Sequence, residues 1–365
     1  MSDAANPGRA LYRLPLLVLG FAGLVVGVGA GLARFGATVP VAMASAAALH
    51  GPLMIGAFLG TVIALERAVA LGRAWAYAAP LLAGIGGTAA IVGSPAAGAW
   101  ALVAGSAVLV AASVAIFARQ RALFTATLAA GAACWCAGNL AWAQGAAPYA
   151  VVGWWLAFPV LTIAGERLEL SRFLPPSPAA KRVFVAILLA LAGALAGGGA
   201  AWSAPTFGAA LVALALWLGR QDIARRTVRG AGLTRYIAVC LLAGYAWLAV
   251  GGAVVVATGT LAPGTRAYDA AVHALALGFV FSMIFGHAPV IFPAVLRVTM
   301  RYSPAFYAPL ALLHGSLVVR IAGDFAARPD WARAGALGNA AAIALFIATA
   351  LAAVWRGRRA GRTPG

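Results

Sequence analysis

Four histidines carry the main chemical signal of this sequence, because all four fall within long hydrophobic segments. They are His50, His273, His287 and His314. An ionisable side chain inside a lipid bilayer is costly and usually serves a function. Imidazole is a common ligand of heme iron and also suits copper. The sequence therefore predicts that these histidines hold a redox cofactor within a membrane.

The spacing of the histidines suggests how they could be paired. His273 and His287 are 14 residues apart, an interval that resembles the one on the heme-binding helices of transmembrane diheme cytochromes b. In an uninterrupted α-helix their side chains would share a face, about 21 Å apart. Depth along the predicted helices pairs His50 with His273 in the outer half of the bilayer and His287 with His314 in the inner half. The alternative is that each histidine bonds to a neighbouring helix or, for His287, to a carbonyl freed by Pro289.

Several charged residues lie at the ends of the hydrophobic segments. Arg34 and Arg320 are predicted at outer ends, where arginine could bind the propionates of a heme. The alternative for Arg320 is an ion pair with Asp324, four residues later on the same helix. Glu66–Arg67 and Glu166–Arg167 are predicted to form structural ion pairs at cytoplasmic ends.

The composition defines the class of protein that must position these groups. Of the 365 residues, 64% are hydrophobic and only 9% are charged, which indicates a polytopic α-helical membrane protein. We expect a single transmembrane domain over 1–365, with about 12–355 embedded in the membrane. The predicted spans are 12–34, 39–66, 75–93, 97–118, 122–143, 149–171, 182–202, 205–219, 235–260, 268–296, 304–323 and 332–355.

The formal charge of +18 does not indicate nucleic-acid binding, because most of the arginines fall in short loops. Alternate loops differ sharply in their arginine content, so the positive-inside rule places both termini in the cytoplasm. The predicted location is the inner (cytoplasmic) membrane, with membrane lipid as a partner. Quinone, a cytochrome electron donor and a second copy of the chain are further candidate partners.

Small residues and cysteines add two weaker signals. Gly23, Gly27 and Gly31 recur every four residues and predict a close helix–helix contact. Cys134 and Cys136 could bind copper, but on one helix their side chains diverge by about 200°, so buried structural cysteines are the preferred interpretation.

Two segments resemble known membrane families. The segment from His273 to His287, continuing to Phe292-Pro293, resembles the tenth helix of heme–copper oxidase subunit I. His50-Gly51-Pro52-Leu53-Met54 resembles the second helix of that subunit, which carries the other low-spin heme ligand. The NnrS family has similar features, contains heme and copper, and is associated with the response to nitric oxide.

The resemblance implies an all-α fold of 12 transmembrane helices in three four-helix units. It also implies one heme b with His50 and His273 as axial ligands, and a role in nitric oxide handling or electron transfer. His287 and His314 would bind a second heme, a copper ion or nothing. Four histidines are too few for a proton-pumping oxygen reductase, which needs about six. Two alternatives remain: a diheme, quinone-linked electron conduit that uses all four histidines, and a cofactor-free secondary transporter.

Overall fold

Helices account for all regular secondary structure in the described residues of the computed structural model, which are 13–171 and 175–360. Twelve helices are long and apolar enough to cross a membrane. They are α1 (Leu14–Ala33), α2 (Pro52–Leu71), α3 (Ala74–Ile91), α4 (Pro95–Arg119), α5 (Leu123–Ala143), α6 (Pro148–Leu170), α7 (Pro178–Ala196), α8 (Ser203–Gln221), α9 (Gly232–Thr258), α10 (Arg266–Leu296), α11 (Pro304–Phe325) and α12 (Pro329–Arg359). The predicted polytopic α-helical membrane protein with twelve spans is confirmed.

The helices divide between two compact units. The first contains the described residues up to Gly165 together with Ile291–Arg297, and the second contains Glu166–Val290 and the described residues from Val298 onwards. The three four-helix units expected from the resemblance stay a prediction. The predicted cytoplasmic N-terminus, 1–12, and the last five residues lie outside the described residues.

The predicted second span, 39–66, is not one continuous helix. The short helix Val41–Ser45 and the 3₁₀ turn Ala47–Leu49 precede it, and the spanning helix runs from Pro52 to Leu71. Proline lacks a backbone N–H and clashes with the preceding turn, so Pro52 favours a new start. His50 is itself helical and lies two residues before Pro52, at the start of α2, and its predicted depth in the bilayer stays a prediction.

Two π-helices follow two of the histidines closely. Pro52–Leu59 begins two residues after His50, and Ala274–Phe281 begins one residue after His273. In a π-helix each backbone bond spans five residues instead of four, and such segments often occur at functional sites. Neither segment was predicted.

Glycine sets the helix contacts within the first unit. A Cβ atom on Gly23 would lie 3.0 Å from Ala57, and one on Gly27 would lie 2.9 Å from the Met54 sulfur. The glycine seam of α1 therefore packs against the π-helical part of α2, as small residues at close helix contacts do. This contact confirms the predicted seam.

Candidate functional site

His50 is positioned by the same glycine seam. A Cβ atom on Gly31 would lie 2.8 Å from the imidazole ring, so only glycine leaves room for the ring there. The ring Nδ1 lies 2.7 Å from the carbonyl oxygen of Gly27. Because a carbonyl only accepts, Nδ1 carries the proton and donates it. In a neutral ring the lone pair then belongs to Nε2, the nitrogen that could bind a metal.

His273 has the same tautomer in the second unit. Its Nδ1 donates to the carbonyl oxygen of Asp269 at 2.9 Å and lies 3.2 Å from the carboxylate of the same residue. Arg320 Nη2 lies 3.1 Å from His273 Nε2. A guanidinium can only donate, so Nε2 is the acceptor in this contact.

Arg320 makes a two-pronged ion pair with Asp269. Its Nε and Nη2 atoms donate to the two carboxylate oxygens at 2.7 and 2.8 Å, and the arginine side chain is only 7% exposed. Gly335 allows α12 to pass close to Arg320 on α11, since a side chain at this position would collide with the Arg320 backbone. Sequence reasoning missed Asp269, which is 51 residues from Arg320; it considered only Asp324 and heme propionates.

His287 is anchored to its own helix. Its Nδ1 lies 2.7 Å from the carbonyl oxygen of Met283, one turn earlier. The carbonyl that Pro289 frees is that of Phe285, four residues before the proline. The hydrogen bond of the His287 Nδ1 atom is therefore made to the carbonyl of Met283 and not to the one that Pro289 frees.

His314 differs from the other three histidines in the direction of its hydrogen bonds. The indole N–H of Trp247 donates to its Nδ1 at 2.9 Å, so in the neutral ring the proton belongs to Nε2. Nε2 lies 3.4 Å from the Ser282 hydroxyl, which donates to the Cys240 carbonyl at 2.7 Å. The ligation of a heme or copper by His287 and His314 stays a prediction, and the engaged nitrogens of His314 argue against it.

The π-helix Ala274–Phe281 changes the relation between His273 and His287. The predicted common face and 21 Å separation assumed an uninterrupted α-helix. A turn with i→i+5 bonds holds more residues than an α-turn, so 14 residues complete fewer turns, and one inserted residue shifts the helical phase by about 100°. The assumption behind the shared face is wrong, and the diheme alternative loses its main support.

The remaining predicted site residue, Arg34, lies exposed immediately after α1. Its binding to a heme propionate stays a prediction, as does that of Arg320. Among the described residues, no group of three or more His, Cys, Asp or Glu side chains could hold a metal ion. Cys134 and Cys240 are buried free thiols.

A second ionic cluster, which the sequence did not reveal, lies in the second unit. Arg167 donates to both oxygens of Asp222 at 2.6 and 2.9 Å. The Tyr245 hydroxyl and the Ala224 amide donate to the same carboxylate at 2.6 and 2.8 Å. Burial by itself would raise the pKa of Asp222, but its hydrogen bonds and the charge of Arg167 hold that pKa below the usual value. With four donors on one buried carboxylate, the cluster is structural.

Replacing Trp247 by phenylalanine should weaken the hydrogen-bond chain that joins α9, α10 and α11. The indole N–H is the donor that fixes the His314 tautomer, and its loss leaves a partly buried acceptor unpaired. We expect the free energy of unfolding to fall by about 1–3 kcal/mol. Unfolding in detergent measures the change, and Trp331→Phe, at an exposed site, should be neutral.

These observations define the chain as a polytopic α-helical membrane protein. His50 is held by a backbone carbonyl in the first unit, and His273 contacts the ion-paired Arg320 in the second. The chain belongs to the family described as "Domain of unknown function (DUF8744)", whose model matches residues 13–355. A search of curated proteins gives no match.

Proposed function

We propose that this protein binds heme b in the inner membrane and serves in electron transfer or nitric oxide handling, and that His50 and His273 are the residues that would hold the heme. The observation that carries the proposal is the Nδ1–carbonyl hydrogen bond that both rings make, to Gly27 and to Asp269. A histidine that binds a metal usually donates its other ring N–H in this way, which fixes the tautomer and makes the coordinating nitrogen more basic.

The ring nitrogens of His50 and His273 fit a heme iron, provided that one hydrogen bond to His273 is released. The tautomer of His50 assigns the lone pair to Nε2, the atom that would bind iron. His273 has the same tautomer, but Arg320 donates to its Nε2. Ligation there requires that single contact to be released, while Arg320 keeps its two bonds to Asp269. Arg320 would then remain close to the cofactor as a cation.

A bound heme b would supply one-electron redox chemistry. The contribution of this chain would be to hold the imidazoles in one tautomer and orientation and to surround them with apolar side chains. Two firm ligands favour electron transfer to or from a quinone or a cytochrome. One displaceable ligand would open a coordination position for nitric oxide. His287, with its Nδ1 held by Met283, is the histidine best suited to a second heme or a copper ion.

The reduced-minus-oxidised visible spectrum of the purified protein tests the proposal, together with a pyridine hemochrome assay of heme per chain. A b-type spectrum with one heme per chain is the expected result. Two hemes per chain would favour the diheme alternative. A colourless protein after expression with an adequate heme supply would overturn the proposal.

One contact favours a second candidate, a cofactor-free transporter. Arg320 occupies the Nε2 atom of His273 and also binds Asp269, so these three side chains form a complete charge network without any cofactor. Transporters commonly use such ionisable groups within helices. The carboxylates of Asp269 and Asp324 lie in the first turn of α10 and the last turn of α11. Neither lies at the middle of a span, and the transporter is therefore the weaker candidate.

A further inference from the structure

A cavity of about 620 Å³ lies between α7 and α8 in the second unit. Ala179 and Val183 line it from the start of α7, Arg220 and Gln221 line it from the end of α8, and Arg225 lines it from just after α8. Because α7 begins and α8 ends beside the cavity, it lies where these two spans reach the surface of the membrane. A cavity at this depth is open to the headgroups of the surrounding lipid.

The walls of the cavity are held together by Trp217, which also lines it. The indole N–H donates to the carbonyl oxygen of Ala180 at 2.8 Å, and the ring packs against Phe184 with the ring centroids 4.6 Å apart. These contacts fix α8 against α7, so the cavity is part of the fold. Since the indole N–H is already engaged, an occupant must be bound by the other polar side chains of the cavity.

Two of those side chains carry positive charges that no carboxylate neutralises in the described part of the chain. Neither Arg220 nor Arg225 forms an ion pair there, and the guanidinium of Arg225 makes only a long contact, 3.5 Å, with the Arg220 carbonyl oxygen. The nearest acid in the sequence, Asp222, is buried and binds Arg167 through both oxygens. The cavity therefore favours an anion.

The surface around the cavity is also strongly basic. In the two stretches that form it, 175–184 and 217–230, Asp222 is the only acidic residue. Four further basic side chains of these stretches are exposed: Lys181, Arg182, Arg226 and Arg229. Clusters of four to eight lysines and arginines at the end of a membrane span typically attract anionic lipid headgroups, and basic cavities between spans bind them.

We propose that this cavity binds the phosphate headgroup of an anionic phospholipid. Arg220 and Arg225 would bind the phosphate, which the planar guanidinium contacts through two parallel hydrogen bonds. The Gln221 amide can both donate to and accept from a headgroup hydroxyl. Val183, which is 52% exposed, gives the cavity an apolar edge on the side of the span, where the acyl chains would lie. A soluble anion would leave this edge uncovered. The site does not depend on whether the protein binds heme.

Native mass spectrometry of the full-length protein, released from detergent micelles titrated with phosphatidylglycerol, tests this site. We expect phosphatidylglycerol to bind more tightly than phosphatidylcholine, whose headgroup has no net charge. Arg220→Gln combined with Arg225→Gln should weaken phosphatidylglycerol binding at least about tenfold. The matched control, Arg226→Gln combined with Arg229→Gln, removes the same charge from exposed arginines that do not line the cavity, and should bind nearly as well as the unsubstituted protein.

A further variant tests the cavity while all of its arginines are kept. Ala179→Glu places a carboxylate in the cavity, where it competes with the phosphate for the guanidinium groups, and an acidic residue is favourable in the first turn of a helix. It should also weaken phosphatidylglycerol binding, although it changes the net charge by less than the control pair does. Unchanged binding in this variant would contradict the proposal.

Three other results would overturn the proposal. Equal weakening in the two arginine pairs would show that the lipid responds only to the general surface charge. Equal affinity for phosphatidylglycerol and phosphatidylcholine would show that the anionic headgroup is not recognised. Displacement of the lipid by inorganic phosphate or glycerol phosphate at equal concentration would show that the cavity takes a soluble phosphate instead. Thermal unfolding of each variant without added lipid confirms that the fold is retained.

Discussion

Replacing His50 by alanine is expected to remove the heme while leaving a protein that inserts into the membrane. The imidazole lies against Gly31 of the glycine seam of α1, and its Nδ1 donates to the Gly27 carbonyl. Loss of an axial ligand should eliminate most of the b-type spectrum. Heme per chain, measured beside the elution profile in detergent, gives the result.

A variant that keeps the histidine tests its orientation. Gly31→Ala would place a methyl group about where the ring now lies, at 2.8 Å from two of its atoms. The ring must then move away from the Gly27 carbonyl. Disturbing a hydrogen bond of this kind typically weakens metal affinity roughly 10–100-fold. Heme should therefore be retained at high concentration and lost on dilution or dialysis.

The matched control is His314→Ala, because His314 also lies in a spanning helix but its Nδ1 is occupied by the Trp247 indole. We expect this variant to keep its heme and to lose some stability. Equal heme loss in His50→Ala and His314→Ala would contradict the assignment of His50. Full heme content in His50→Ala would contradict it as well.

Removing Asp222 should be the most destabilising of the single substitutions considered. Asp222→Ala leaves the guanidinium of Arg167 buried without its carboxylate and deprives the Tyr245 hydroxyl of its acceptor. Breaking a buried ion pair in this way costs about 3–5 kcal/mol. Thermal unfolding in detergent measures the loss. Asp330→Ala should leave the unfolding midpoint unchanged, since that carboxylate is exposed.

Two further variants separate the contribution of the Tyr245 hydroxyl from that of the ion pair between Arg167 and Asp222. Tyr245→Phe removes one of four donors to Asp222 and should cost about 1 kcal/mol. Replacing Arg167 by leucine and Asp222 by alanine together should cost less than the sum of the single changes, because each single variant leaves one charge unpaired and the double variant leaves none. Additive losses would show that the two side chains do not interact.

The pH dependence of this cluster follows from the direction of the Asp222 shift. The pKa of Asp222 is lower in the folded protein than the ordinary value of about 3.9. Its stabilising contribution is therefore complete above that value and is lost as the pH falls through the lower folded value. The difference between the unfolding midpoints of the unsubstituted protein and Asp222→Ala should stay constant between about pH 5 and 8 and should shrink only in acid.

The helices could be predicted because a span requires about 20 apolar residues, which hydropathy detects directly. The close packing of α1 was foreseeable for a similar reason, since glycines four residues apart lie on one helix face. These features depend on local composition. The predicted ligands also come from local signals, but whether they meet one cofactor depends on geometry that composition does not specify.

The features that were missed depend on long-range contacts or on backbone detail. Arg167 and Asp222 are 55 residues apart, and nothing in either local sequence indicates the other. The directions of the four histidine hydrogen bonds depend on which donor or acceptor the fold brings near. The π-helices were missed because hydropathy does not distinguish an i→i+5 ladder from an i→i+4 ladder. The common face predicted for His273 and His287 assumed an i→i+4 ladder throughout, which the π-helix Ala274–Phe281 interrupts.

The π-helix Ala274–Phe281 also determines how this chain could change in length without losing a membrane span. A π-helical turn arises when one extra residue is inserted into an α-helix. Deleting one residue from this segment would let α10 close into a regular α-helix with its backbone bonds intact. Hydropathy and span count would barely change, yet His273 would rotate by about 100° relative to the rest of the helix. A relative that is one residue shorter in this segment would keep the fold, but the side chain equivalent to His273 would point in a different direction.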